Sequence, residues 1–284
     1  MKTSFAALLL VLAAASVPAA DKPDFPVREE ETLHQSYPLA AAGSLAIDNA
    51  WGSIHVTAAD TRQIEVTIHK RIRAASDLAL SQAKRDVTIE ITAGRNAVTL
   101  FVNGPFRCAE SRECCCKDAD GLGYIVAMDF DVVVPRQIAL TLKTVNEGEI
   151  RVRDVSGVFA IHNVRGSIDL QDVAGSGEAK TVNGAIKVAF KENPKSDSRF
   201  ASVHGAIDLY FPRGLSADFR FHDYKGAVYS DYALSPLPAR PPRTETRDGK
   251  FTYRADAFTG GRAGAGGPEI TVDNLNGDIH VLAR

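Results

Sequence analysis

The sequence predicts an all-β protein built as a parallel β-solenoid, and three observations predict it. Glycine recurs every nine residues at Gly148, Gly157, Gly166, Gly175 and Gly184. Valine follows the first four by seven places, at Val155, Val164, Val173 and Val182. Between these marks, apolar and polar side chains alternate with period two: Ile150 and Val152, Phe159 and Ile161, Ile168 and Leu170 against Arg151, Arg153, Ala160, His162, Asp169 and Gln171. A strand that fits between such glycines has two or three inward side chains. It cannot bury a face alone, so neighbouring units must stack into a shared core.

From the N-terminus, residues 1–20 carry a basic start at Lys2, an apolar run from Phe5 to Ala15 and small residues at Val17, Ala19 and Ala20. That pattern predicts a cleaved signal peptide and an exported protein, periplasmic, outer-envelope associated or secreted. No later run is long and apolar enough for a transmembrane helix, so none is expected after signal cleavage. Residues 21–39 read as a flexible leader, and 40–284 as a single solenoid domain. Its N-terminal part covers 40–135 and its regular coils, of about 18 to 21 residues, cover 136–284.

IDNAWGSIHV, with Gly52 and Ile54, reads as a first coil. Ile64, Val66 and Ile68 then alternate as a strand. Ser76 can cap a short helix to about Lys84, with Asp77 favourable near its positive end. Val87 to Ile91 and Val98 to Val102 predict two strands about a turn at Gly94, and Tyr124 to Val134 a further strand closed by Pro135. This region is expected to cap one end of the stack, because an open stack exposes strand edges.

Asp154, Asn163 and Asp172 stand three residues before a glycine, where a short polar side chain can bond local backbone at a turn. Each nonapeptide therefore reads as strand and corner, two of them making one coil. The period then loosens: Gly205 and Gly226 follow Gly184 at intervals of 21, with Ile207 and Val228 two places on. Ser235 to Arg243, with four prolines, and Gly260 to Pro268 are expected as lateral loops (near 235–243 and 260–268) with Phe251 to Ala257 as a strand between them. The chain closes on VDNLNGDIHV, which matches the first coil at Asp273, Asn274, Gly277, Ile279, His280 and Val281.

All four cysteines, Cys108, Cys114, Cys115 and Cys116, fall in one loop at about 105–123. In an exported chain they suggest disulfide bonding, although adjacent cysteines bond each other only under strain. The alternative is a thiolate site for zinc or copper, but C-x5-C-C-C lacks the paired C-x-x-C of zinc modules. The nonapeptide lacks the G-x-G-x-D run of calcium-binding rolls, and an apolar core takes that place. No cofactor is therefore expected, and no metal outside the cysteine loop.

The formal charge is −2 and becomes −3 once Lys2 leaves with the signal. Basic residues are scattered without interleaved aromatics, which argues against nucleic acid as a partner. His55, His162 and His280 take outward strand positions and His204 sits beside a corner glycine. No nucleophile, base and orienter set is visible, so the chain is read as non-enzymatic.

The exported start, the recurrent [D/N]-x-x-G-x-I coils, the segment Ser76 to Val102 and the terminal GGPEITVDNLNGDIHVLAR together resemble the bacterial adhesin-like family known as domain of unknown function 4097. The resemblance covers roughly residues 40 to 284. It implies a parallel β-solenoid and supplies no catalytic residues to carry over; the cysteine loop departs from its pattern. The function expected is adhesin-like or envelope surface binding to a protein or glycan. The alternatives are a metal- or redox-responsive periplasmic protein working through the cysteine loop, and a structural assembly scaffold.

Overall fold

The computed structural model describes residues 25–284 apart from 41, 108–118, 241–242, 248–249 and 255–257, and only the backbone of 119–120, 243–247 and 250–254. The expected signal segment and all four cysteines lie outside the described residues. The protein is mostly β, as expected, with two large and mostly parallel sheets.

The N-terminal part holds β1 (Val27–Pro38), β2 (Ser44–Asp48), β3 (Ile54–Ala59), β4 (Gln63–Ala74), helix α1 (Asp77–Asp86), β5 (Thr88–Ala93), β6 (Ala97–Asn103), the short helix α2 (Ala119–Leu122) and β7 (Tyr124–Pro135). The central part follows with β8 (Ala139–Thr144), β9 (Ile150–Arg153), β10 (Phe159–Asn163), β11 (Ile168–Val173), β12 (Gly177–Asn183), β13 (Ile186–Phe190), β14 (Ser198–His204), β15 (Ile207–Phe211), β16 (Ala217–Asp223) and β17 (Val228–Ser230). The C-terminal part adds β18 (Leu234–Leu237), β19 (Arg243–Arg247), β20 (Lys250–Arg254), β21 (Thr259–Ala263), β22 (Glu269–Asn276) and β23 (Ile279–Ala283).

From β8 to β18 the strands alternate between the two sheets, and β19 pairs with β20 in a separate two-stranded sheet. The first sheet runs β1-β4-β7-β3-β9-β11-β13-β15-β23-β17 and the second β18-β21-β16-β22-β14-β12-β10-β8-β2-β6-β5. Ile150 pairs with Ile168 and Ile168 with Ile186, an offset of 18 residues. Each inward residue therefore lies beside its counterpart 18 residues away. Ile54, Ile150, Ile168, Ile186, Ile207 and Ile279 form one such column, each fully buried. Where the offset grows to 21, as from Ile186 to Ile207, the wider interior is filled by Phe190, Phe200, Phe211, Phe219 and Phe221. Phe190 stacks on Phe211 at 4.9 Å and Phe219 on Phe221 at 5.3 Å.

The nine-residue unit conceals two unlike corners. At one, Asp154 and Asp172 take left-handed φ of 60° and 54°, and Val155 and Val173 are buried. At the other, Asn163 turns its side chain inward, and Val182 is 38% exposed. The inward polar positions of this second corner form a continuous ladder. Thr144 Oγ1 donates to the Gly52 carbonyl at 2.8 Å, Asn163 Nδ2 to Gly148 at 2.8 Å and Thr181 Oγ1 to Gly166 at 3.0 Å. Ser202 Oγ continues to Gly184 at 3.1 Å and Asn274 Nδ2 to Gly205 at 3.0 Å.

Those carbonyls belong to a column of glycines. In spatial order it runs Gly52, Gly148, Gly166, Gly184, Gly205, Gly277 and Gly226. From Gly148 onward, a Cβ on any of them would lie 1.9 to 2.5 Å from the carbonyl oxygen of the one before. The opposite corner repeats the constraint, with Gly175 against the Gly157 carbonyl and Gly157 against that of Ile138. The glycines are therefore needed because neighbouring segments touch backbone to backbone, with φ freedom an added requirement at only some of them.

Neither terminal pair of strands lies at the position its place in the chain suggests. Strands β2 and β3 lie between β6/β7 and β8/β9, and β22 and β23 between β14/β15 and β16/β17. The two most alike segments of the sequence are thus both inserted between other strands, and Asn49 and Asn274 are both fully buried. Asn49 Nδ2 reaches the carbonyls of Met128 at 2.8 Å and Gly52 at 3.2 Å, as Asn274 Nδ2 reaches those of Gly205 and Gly277.

Three further segments differ from the sequence reading. Residues 27–38, within the expected leader, form β1, which pairs antiparallel with β4 along all 12 residues. Leu234–Leu237 is an edge strand paired with β21 although it contains Pro236, an arrangement open to proline only at a sheet edge. Residues 260–263, within the second expected loop, belong to β21. The helix extends two residues past Lys84. Ser76 Oγ accepts the Ala79 amide at its start, and Lys84 forms an ion pair with Glu29 that ties the helix to β1.

The last rung of the polar ladder is Asp223, in register with Asn274. Both its carboxyl oxygens are buried without a hydrogen bond of ordinary geometry. Burial, and then the charge of Asp278, raise its pKa against the opposing pull of the Lys225 amide and His222. A raised pKa means the folded state holds the proton more tightly than the unfolded chain. Stability is then full below the ordinary carboxyl range and falls as pH rises through the raised value. Asp223→Asn restores an uncharged donor at this rung. It is expected to raise the thermal midpoint near neutral pH by roughly 2–6 °C and to flatten its decline as pH rises above the ordinary carboxyl range. Identical slopes in variant and parent would refute this role for Asp223.

Candidate functional site

The outer faces of both sheets carry charged side chains paired with one another. Along the second sheet, charged groups are mostly paired. Asp48 holds Arg107 at 2.7 Å and Lys143 at 3.4 Å, Glu178 holds His162 and Lys180, Asp273 holds His222 and Arg199, and Asp218 accepts two bonds from Arg262. The Lys180 and His162 contacts outweigh the burial that would raise Glu178 and leave its pKa lowered. Small residues lie among these pairs: Ala46 sits opposite Thr141, and Thr141 opposite Ala160.

Across the first sheet the register aligns Asp131, His55, Arg151, Asp169, Lys187, Asp208, His280 and Tyr229, one per strand from β7 to β17. Charges of opposite sign recur along this row at the strand spacing of about 4.8 Å. His280 Nδ1 lies 2.7 Å from Asp208 Oδ1, and the Tyr229 ring stacks on the imidazole with centroids 5.2 Å apart. Lys187 sits over the Tyr210 ring.

The antiparallel strands β1, β4 and β7 extend this face and carry its densest polar cluster. His69 Nε2 and His55 Nδ1 approach the two oxygens of Asp131 at 3.5 and 3.2 Å, and His55 Nε2 lies 3.3 Å from Glu149. His69 Nδ1 meets Thr32 Oγ1 and His34 Nδ1 meets Thr67 Oγ1 across the β1 and β4 pairing. Next to it, Asp129 Oδ1 accepts both the amide and hydroxyl of Ser53 at 2.8 Å, and Oδ2 accepts Arg71 at 2.5 Å. Burial alone would raise the Asp129 carboxyl; the Ser53 donors and the Arg71 guanidinium outweigh it and hold its pKa low. Asp129 therefore stays ionised and fixes Arg71 in place.

Beside Arg71 is a cleft of about 410 Å³ whose lining includes Trp51, Arg28, Arg73, Glu30 and Glu147, with Ile125 and Ala127 from β7. Arg28 stands directly opposite Arg73, and Arg73 opposite Ile125. Glu147 holds a left-handed φ of 48°, a conformation that costs a non-glycine residue energy and often marks functional loops.

His55, His162 and His280 face outward, and His204 sits at the glycine corner with Nδ1 3.2 Å from Asn276 Nδ2. Sequence reasoning placed His55 but missed His34, His69, Arg28 and Arg73, whose assembly depends on the pairing of β1 with β4. Among the described residues no group of three or more metal-ligating side chains is drawn together, and no helix is long and apolar enough to cross a membrane.

These features define a two-sheet, mostly parallel β protein with a polar, in-register outer face. No family model matches the chain, and no curated protein matches it. Among solved structures it is similar to a candidate cell adhesion protein from Clostridium sporogenes, at 11% identity over 91% of this chain and 100% of that one, with a TM-score of 0.42. It is also similar to candidate adhesins from Bacteroides fragilis, at 12% identity over 89% and 97% with a TM-score of 0.37, and from Parabacteroides merdae, at 9% over 89% and 96% with 0.24.

Proposed function

We propose that this chain is an exported, non-enzymatic β-solenoid that acts through its surface as an adhesin-like binding protein, with the outer face of the first sheet as its binding face. The observation that carries this reading is the row from Asp131 to Tyr229, continued by a cleft whose charged lining residues Arg28, Arg73, Glu30 and Glu147 take part in no ion pair among the described residues. Parallel coils in register turn single side chains into regular rows on a rigid frame, which suits recognition of an extended partner.

The alternative, a metal- or redox-responsive role, places the activity at Cys108, Cys114, Cys115 and Cys116. Purified mature protein added to intact cells separates the two. Replacing all four cysteines by serine is expected to leave cell binding within about twofold of the parent, a change of under 1 kcal/mol. Loss of binding in the four-serine variant, with the fold intact by circular dichroism, would transfer the function to the cysteine loop.

A further inference from the structure

We infer that the cleft beside Trp51 is a saccharide site that takes a pyranose unit of a surface glycan. The inference rests on the surface-binding reading above and names its ligand class.

The wall is the only tryptophan of the chain. Its indole is not free to swing: it packs edge to face on Phe106, with centroids 5.0 Å apart at 81°. Phe106 lies in turn under the Arg107 guanidinium, which also covers Phe101 at 4.7 Å and donates to Asp48 and to the Val102 carbonyl. The backbone beneath the indole is fixed as well, since Asn49 Nδ2 donates to the Trp51 carbonyl at 3.0 Å. A braced aromatic wall presents a flat, amphipathic surface at little ordering cost, the surface on which the C–H face of a sugar ring packs.

The rim supplies the complementary polar chemistry. Arg28 and Arg73 stand as like charges directly across an antiparallel pair, an arrangement that costs stability when nothing lies between them. Among the described residues neither has an ion-pair partner, and nor do Glu30 and Glu147, although all four line one cleft. Two guanidiniums that only donate and two carboxylates that only accept match a ligand whose every hydroxyl does both. A simple anion would be served by the arginines and repelled by the glutamates; a simple cation, the reverse. The volume falls within the range of about 300–1,000 Å³ usual for small-ligand clefts, and one sugar unit can enter from the open face.

Because Trp51 is the only indole, its emission reports this cleft alone. Full-length mature protein is titrated with soluble hexasaccharides of glucose, galactose, N-acetylglucosamine and a uronic acid, with calorimetry alongside. The expected result is a saturable emission shift with at least one hexasaccharide, weakened at least tenfold by Arg28→Ala with Arg73→Ala and unchanged by Arg153→Ala, an exposed change on the same sheet. Silence of Trp51 toward every saccharide, a shift indifferent to the arginine pair, or a shift given by unglycosylated peptides instead would each overturn the assignment. Cell binding measured on the same arginine variant keeps the two readings apart. Binding that persists there while Trp51 stays silent refutes the saccharide site and leaves surface binding standing; absence of cell binding by the parent refutes the broader reading.

Discussion

A chain ending at residue 268 is expected to lose structure far beyond the 16 residues removed. In a linear stack the last coil touches one neighbour, and trimming it is tolerated. Here β22 separates β14 from β16, and β23 separates β15 from β17. Their removal takes Ile270, Val272, Ile279 and Val281 out of the core, each fully buried. At about 1.5–3 kcal/mol per side chain this is roughly 6–12 kcal/mol, comparable with the about 5–15 kcal/mol by which whole domains are stable. It would also uncover Phe200, Phe219 and Phe221. Hydrogen exchange of the truncated chain should show loss of protection across β14 to β17 as well, with aggregation. Protection confined to its parent pattern up to residue 268 would contradict the inserted position of β22 and β23.

The second large effect is expected from a single methyl group. In Gly166→Ala the new Cβ would lie 1.9 Å from the Gly148 carbonyl oxygen and 2.7 Å from Asn163 Nδ2, which itself donates to that carbonyl. Neither contact is relieved by a rotamer change, because the first is to backbone and the second to a buried amide. The coils must separate locally, and both the ladder bond and the strand pairing weaken. A loss of about 3 kcal/mol or more is expected, lowering the thermal midpoint by roughly 6 °C or more. Gly94→Ala is the control, since its nearest neighbour is the Ala97 carbonyl at 3.6 Å. It should change stability by less than about 1 kcal/mol. Equal effects at the two glycines would remove close backbone approach as the reason for the period.

The period and the alternation were legible because they are set locally: each strand is short, and its inward set must be apolar wherever it lies. The two unlike corners were hidden because Val155, Val164, Val173 and Val182 are the same residue in sequence and differ only in what the coil does around them. A signal existed in Thr144, Thr181, Ser202 and Asn274, polar residues at inward positions, which mark every second corner. The insertion of the terminal coils was not legible, since parallel strands with matching inward sets can pair at any sequence distance. The likeness of the Asn49 and Asn274 segments was its only trace. Strand β1 read as leader because VREEETLHQS is charged on both sides, its pairing with β4 and its contact with α1 compensating for a weak apolar face.

The same division governs the candidate site. Outward histidines such as His55 and His280 could be placed by counting along a strand. The contacts of His69 and His55 with Asp131, and the opposition of Arg28 to Arg73, arise from partners 45 or more positions apart, and no spacing rule joins them.

The central claim is that the protein works through the outer face of its first sheet. It is tested most directly by measuring the binding of mature protein to intact cells with that face and the opposite one altered in turn. Arg73→Glu with Lys187→Glu changes exposed positions of the first sheet, and Thr141→Glu with Lys143→Glu changes exposed positions of the second. The account predicts at least a tenfold loss of binding, about 1.4 kcal/mol, for the first pair and parental binding for the second. Parental binding by the first pair, or a loss confined to the second, would contradict it.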